Sequence, residues 1–187
     1  MPVFYVCSFG GSGSTALCRY LGNFGSRVYH VHSRRPPPRL TEVDLFTEHF
    51  TNVPVKDPDV RVLFVYRDPV RAILSRFESP VHLKNIECAP TTLEAVVASG
   101  QDLYGLSEFF YNYLDSRKRN YPILFVKYEA LFTHLPLVHR MLGIPQKPGI
   151  ALERRETLRV RPEEKALRDI YAKLNRAMAA MPPCASL

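Results

Sequence analysis

The sequence predicts an α/β fold built on a mostly parallel sheet. Short apolar runs alternate with stretches of helical period along the whole chain, the signature of strand–helix units. One run, Val60–Tyr66, is almost continuously apolar, as expected for a strand buried on both faces. A glycine-rich turn, Phe9–Thr15, joins the first run to the first helix. The 187 residues and 21.4 kDa suit a single domain, 1–187, in which about 70% of the unfolded surface becomes buried. A hydrophobic share of 46% with 23% charged residues excludes disordered, collagen-like and coiled-coil chains.

The elements follow in order. Val3–Ser8 reads as the first strand and Ser14–Leu21 as a helix, with Leu17, Tyr20 and Leu21 at helical spacing and Gly22 as its stop. Arg27–His32 is a second strand, after which Pro36, Pro37 and Pro38 force an extended loop. Thr41–Phe50 is a helix opened by a Thr41/Asp44 capping pair. Val60–Tyr66 is the third strand. Asp68 and Pro69 are an N-cap and first helical position, predicting a helix to about Phe77. Residues 79–91 read as irregular. Leu93–Ala98 and Leu103–Arg119 read as helices, Ile123–Lys127 as a fourth strand, and Leu135–Leu142 as a helix ended by Gly143. Pro162–Ala180 reads as one amphipathic helix with Leu167, Ile170, Tyr171 and Leu174 on its stripe, followed by a frayed end.

The charge balance is basic: 25 Lys and Arg against 18 Asp and Glu, net +7. This suits an anionic partner such as a phosphorylated cofactor, an acidic polysaccharide or nucleic acid. Basic residues are not interleaved with aromatics as in stacking platforms, which counts against nucleic acid. No apolar run is long enough for a membrane span. The chain opens directly on a strand-like run without a basic leader, so a cytoplasmic protein without a signal peptide is expected. Cys7, Cys18, Cys88 and Cys184 are scattered and form no metal-ligand motif, so reduced thiols and no metal are expected.

Two motifs carry chemistry. In Gly10-Gly11-Ser12-Gly13-Ser14-Thr15 a glycine-rich turn ends at a helix N-terminus. Backbone N–H groups and the helix dipole there make a nest for a phosphate, which the small glycines allow to approach closely. A nucleotidase loop would carry Lys between Gly13 and Ser14; none is present. The second motif is Arg67 at the end of the third strand with Ser75 eight residues later on the following helix, and Arg71 or Arg76 nearby. An arginine at this edge of an open sheet faces the ligand crevice and grips a phosphate through two parallel bonds.

With these residues in place, the chain resembles sulfotransferases that use PAPS (3′-phosphoadenosine 5′-phosphosulfate). The resemblance rests on Gly11–Thr15, on Arg67 with Ser75, on Phe125-Val126-Lys127-Tyr128-Glu129, and on Ile170-Tyr171 with Leu174-Asn175-Arg176. It implies a three-layer fold with a central mostly parallel sheet and a phosphate-binding loop after the first strand. It also implies that Gly11, Ser12, Gly13, Ser14 and Thr15 hold the 5′-phosphosulfate and that Arg67 and Ser75 hold the 3′-phosphate. Arg155, Arg159 and Arg161 lie in the region of the family's late basic loop, so Arg159 is a further cofactor candidate. The chain departs from the family where many members carry Lys or Arg and this one has Gly11; Arg34 or Arg35 are candidate replacements.

The implied reaction moves a sulfuryl group in line from PAPS to an acceptor hydroxyl, which needs a general base and no metal in principle. His30 and His32 alternate onto one face of the second strand. His32, nearer the strand edge, is the first candidate base and His30 the second. Glu42 and Asp44 are fallback carboxylates whose other role is helix capping. The acceptor class is open between a polysaccharide and a small molecule. The aromatics Tyr104, Phe109, Phe110, Tyr111 and Tyr113 read first as core. Alternative functions are a small kinase-like nucleotide binder, or a module that binds PAPS or its bisphosphate product without turnover.

Overall fold

The computed structural model describes residues 2–39, 59–77, 80–146, 152 and 161–187. The predicted helix at 41–50, with Glu42 and Asp44, and the residues Arg155 and Arg159 lie outside them.

The architecture is α/β. Strands β1 (Val3–Cys7), β2 (Arg27–Val31), β3 (Val60–Tyr66), β4 (Ile123–Lys127) and β5 (Cys184–Ser186) form one sheet in the order β2-β1-β3-β4-β5. The first three pairings are parallel, and β5 alone runs antiparallel, against β4. Cys7 stands beside Val31 on one side and Phe64 on the other, and Tyr66 stands beside Lys127. The carboxyl ends of β1 to β4 therefore share one edge. Chain order reverses around β1, with β2 on one side and β3 on the other. That switch point is where open α/β sheets form ligand crevices.

Alternation along the strands feeds two cores. Tyr5, Cys7, Phe64 and Tyr66 point into one, which gathers side chains from α2 (Pro69–Arg76), α3 (Pro80–Asn85), α4 (Leu93–Ser99), α5 (Leu106–Leu114), α8 (Glu164–Ile170) and α9 (Ala172–Ala180). Phe4, Val6, Leu63 and Val65 point into the other, against α1 (Ser14–Gly22), α6 (Ala130–Thr133) and α7 (Leu135–Leu142). Helices thus cover both faces. Tyr104, Phe109, Phe110 and Tyr113 are core residues, while Tyr111 is 40% exposed. Phe64 is their hub: it stacks on Tyr113 at 4.5 Å between ring centroids and abuts Phe109, Phe110 and Phe125.

Several boundaries differ from the sequence expectation. The segment 79–91 is not wholly irregular, because α3 occupies Pro80–Asn85. The helix expected at 103–119 is shorter: it starts after Gly105, which has φ +65°, and ends at Leu114, with a separate 3-10 turn at Ser116–Lys118. The single C-terminal helix is two, broken at Tyr171, whose backbone leaves helical geometry (φ −96°, ψ 13°) while its hydroxyl donates to Asp102 Oδ1 at 2.6 Å. The terminal residues form β5 rather than fray: Ile123 N–H donates to Leu187 O and Leu187 N–H to Ile123 O. No helix among the described residues is long and apolar enough to cross a membrane.

Helix α2 carries Ser75 and Arg76 to the sheet edge where the strands end. Asp68 caps it, with Oδ1 accepting from Arg71 N–H at 2.9 Å, and Oδ2 accepts from Arg168 at 2.9 Å, tying α2 to α8. Asp68→Ala removes the cap, and urea denaturation is expected to show a loss of about 1 kcal/mol. An unchanged midpoint would show that Pro69 alone starts the helix.

Candidate functional site

The edge where β1 to β4 end opens into a cleft of about 460 Å³. Gly11 and Gly13 line it from the loop, Ser14 and Thr15 from the first turn of α1, and Arg67 and Ser75 from β3's end and α2. Six residues singled out from two separate sequence motifs therefore border one space. Arg19, Arg76, His82 and Tyr128 border it as well, and no acidic side chain does so among the described residues. Gly13 is the left-handed N-cap of α1, and no side chain caps that end. The helix end therefore presents its partial positive charge to the cleft.

The glycines turn out to be required by packing. A Cβ on Gly13 would lie 2.3 Å from the Tyr128 ring, and one on Gly11 would lie 2.3 Å from Ala72 O; both have positive φ. The loop is pressed between β4's end and α2, so its shape is set before any ligand is considered. Gly10 has a similar neighbour: its Cβ would lie 2.5 Å from Cδ of Arg76.

Arg67 donates to Gly11 O at 3.2 Å, and its guanidinium carbon stands 4.5 Å above the Tyr128 ring. This contact and the cation–π stacking hold the fork beside the loop. The Arg67 Nε is buried and has no hydrogen-bond partner. Ser75 is exposed and lines the same cleft.

Ser12 does not line the cleft. It is buried, and its hydroxyl donates to Gly10 O at 3.0 Å, which stiffens the loop. Arg71, with Nη2 3.7 Å from Glu164, is also absent from the lining. Arg34 and Arg35 are corrected as replacements for a loop cation. Arg34 is buried and donates to the carbonyls of Ile86, Tyr104 and Gly105 at 2.9–3.1 Å, while Arg35 pairs with Glu108 at 3.0 Å on the surface.

The two histidines sit one layer behind the lining, their rings 4.3 Å apart. His32 Nδ1–H donates to Ser8 O at 2.6 Å, and Arg76 Nη2 donates to His32 Nε2 at 3.4 Å. His30 ends a short relay: Gly10 N–H donates to Ser8 Oγ, Ser8 Oγ–H to Ser14 Oγ at 2.8 Å, and Ser14 Oγ–H to His30 Nε2 at 2.7 Å. Burial, and secondarily the charge of Arg76, lower the His30 pKa to about 4. The unfolded imidazole takes up its proton near pH ~6.5, whereas the folded one stays neutral until about pH 4. Stability is therefore expected to fall on acidification through that window, since the unfolded state binds the extra proton. Denaturation midpoints of wild type and His30→Asn between pH 7 and pH 4 check this: the wild type should lose more. Parallel losses would show that His30 does not titrate late.

Arg19 and Tyr128 are cleft residues that the sequence motifs did not assign a role, and of the two arginines expected near Arg67 and Ser75 it is Arg76, not Arg71, that lines the cleft. Tyr128 was visible only as part of a weak Tyr-Glu strand ending. No metal-holding group of His, Cys, Asp or Glu occurs among the described residues. No family model, curated protein or solved structure matches the chain.

Proposed function

We propose that the protein is a PAPS-dependent sulfotransferase that passes a sulfuryl group in line from PAPS to an acceptor hydroxyl. One observation supports this reading: the glycine-rich turn with the α1 N-terminus, and the Arg67/Ser75 pair, border one cleft at the sheet's switch point that no acidic side chain lines among the described residues. Two anion-gripping elements on one cleft fit a ligand with two separate anionic groups.

In this reading the loop and the first turn of α1 receive the 5′-phosphosulfate, and Arg67 with Ser75 receives the 3′-phosphate. Backbone N–H groups and the helix dipole stabilise charge that grows on the leaving phosphate. His32 is the preferred base. Its Nδ1–H is engaged by Ser8 O, so Nε2 is the nitrogen that takes the acceptor's proton, and the Arg76 contact there, at 3.4 Å, is looser than the 2.7 Å bond on His30 Nε2. His30 is less suited, because its Nε2 already receives the Ser14 hydroxyl and its pKa is near 4. Glu42 remains the fallback base and Arg159 an added cofactor contact.

A second reading is a binding module without turnover. The observation in its favour is that neither histidine lines the cleft and that Arg76 stands on His32 Nε2. Incubation with PAPS and a panel of sugar, phenol and alcohol acceptors separates the two. Acceptor-dependent release of adenosine 3′,5′-bisphosphate supports the enzyme. Tight binding of PAPS with no release on any acceptor supports the module.

A further inference from the structure

Arg76 follows Ser75 directly, yet it reaches a different part of the cleft. Ala72 and Arg76 lie one helical turn apart on the face of α2 that meets the loop. Ala72 backs Gly11, and the Arg76 stem lies against Gly10, where an added Cβ would stand 2.5 Å from Cδ and 2.6 Å from Nε. Glycine at position 10 leaves room for the stem of this side chain, which lines the cleft. Arg67 meets the same loop at Gly11 O and stands over Tyr128. Two guanidinium groups from different elements thus lie against the loop.

The Arg76 charge has no carboxylate partner among the described residues. Its Nη2 meets His32 Nε2 at 3.4 Å, and its Nε is buried with no hydrogen-bond partner. A buried guanidinium donor left unmade is costly, and an acceptor arriving in the cleft would remove that cost. The loop itself offers no cation, since Gly10 to Thr15 contains neither Lys nor Arg.

We infer that Arg76 is a direct ligand of the anionic group that binds at the glycine-rich loop, supplying from α2 the cation that the loop lacks. This rests on the PAPS reading above and deepens it: Arg76 contacts the 5′ end of the nucleotide, Arg67 and Ser75 the 3′-phosphate. Arg76 also stands beside His32, so the residue that grips the donor group borders the candidate base.

The test separates the two ends of the ligand. Wild type, Arg76→Gln and Arg67→Ala are titrated by calorimetry with adenosine 3′,5′-bisphosphate and with adenosine 3′-monophosphate, which has no 5′ anion. Arg76→Gln is expected to lose about 10- to 100-fold in affinity for the bisphosphate and less than about 2-fold for the 3′-monophosphate, whereas Arg67→Ala loses affinity for both. Equal losses of both ligands in Arg76→Gln, or no loss of either, would overturn the assignment. A wild type that binds neither ligand would instead remove the PAPS reading itself. Should Arg76→Gln fail to fold, the Arg76 Nε–H resonance of the wild type gives the same answer. It should shift on saturation with the bisphosphate and stay in place with the 3′-monophosphate; a resonance unmoved by bound bisphosphate overturns the assignment.

Discussion

Arg67→Ala is expected to weaken binding of adenosine 3′,5′-bisphosphate by about 2–4 kcal/mol, roughly 30- to 1,000-fold. The side chain is held in place before any ligand arrives, by Gly11 O at 3.2 Å and by the Tyr128 ring 4.5 Å away. Little ordering entropy is left for binding to overcome, so most of a charge-assisted, two-pronged contact is realised as affinity. Arg67→Lys should lose much of it too, because an ammonium cannot reproduce the fork or its stacking on Tyr128. Calorimetry on both variants checks this. An affinity unchanged in Arg67→Ala would take Arg67 out of the site and leave its buried Nε unexplained.

His32→Ala is expected to lower turnover by roughly 10²- to 10⁴-fold while bisphosphate affinity stays near wild type. The Ser8 carbonyl fixes the tautomer, so the loss should be specific to the position and only weakly shared by His30→Ala. His30→Ala removes the acceptor of the Ser14 hydroxyl, so its main effect should be on loop rigidity and cofactor affinity. Steady-state kinetics of both variants, with a melting curve for each, distinguish these outcomes. Full turnover in His32→Ala together with loss in Glu42→Gln would move the base to the carboxylate.

The sheet was largely legible in the sequence because its strands are apolar runs bounded by turn residues. Val60–Tyr66 and Ile123–Lys127 have the bounds expected of them, and β1 and β2 end one residue earlier. Strand β5 was not legible, since Cys184-Ala185-Ser186 carries no strand pattern and exists through pairing with Leu124–Val126. The break at Tyr171 was hidden for a similar reason: the apolar stripe continues across it, and the hydroxyl partner, Asp102, is far away in sequence.

In the site, Arg67 and Ser75 could be read because both depend on local structure, a strand end and a capped helix. Gly11 and Gly13 do line the cleft, but the packing that requires glycine there comes from Ala72 and Tyr128, which no local pattern links to them. The same limit applies to cations. Arg34 and Arg35 sit near the second strand's end, yet backbone carbonyls occupy one and Glu108 the other. Arg76, which does line the cleft, reaches it by a long stem across Gly10, a contact that spacing along the chain does not encode.

In the proposed reading this cleft recognises a nucleotide with anionic groups at both its 3′ and 5′ positions. Thermal shift of the full chain with adenosine 3′,5′-bisphosphate, ATP–magnesium and AMP at equal concentration tests it most directly. A clear rise in melting temperature with the bisphosphate, growing with its concentration, and little change with the other two are expected. A larger shift with ATP–magnesium, or equal shifts with all three, would contradict it.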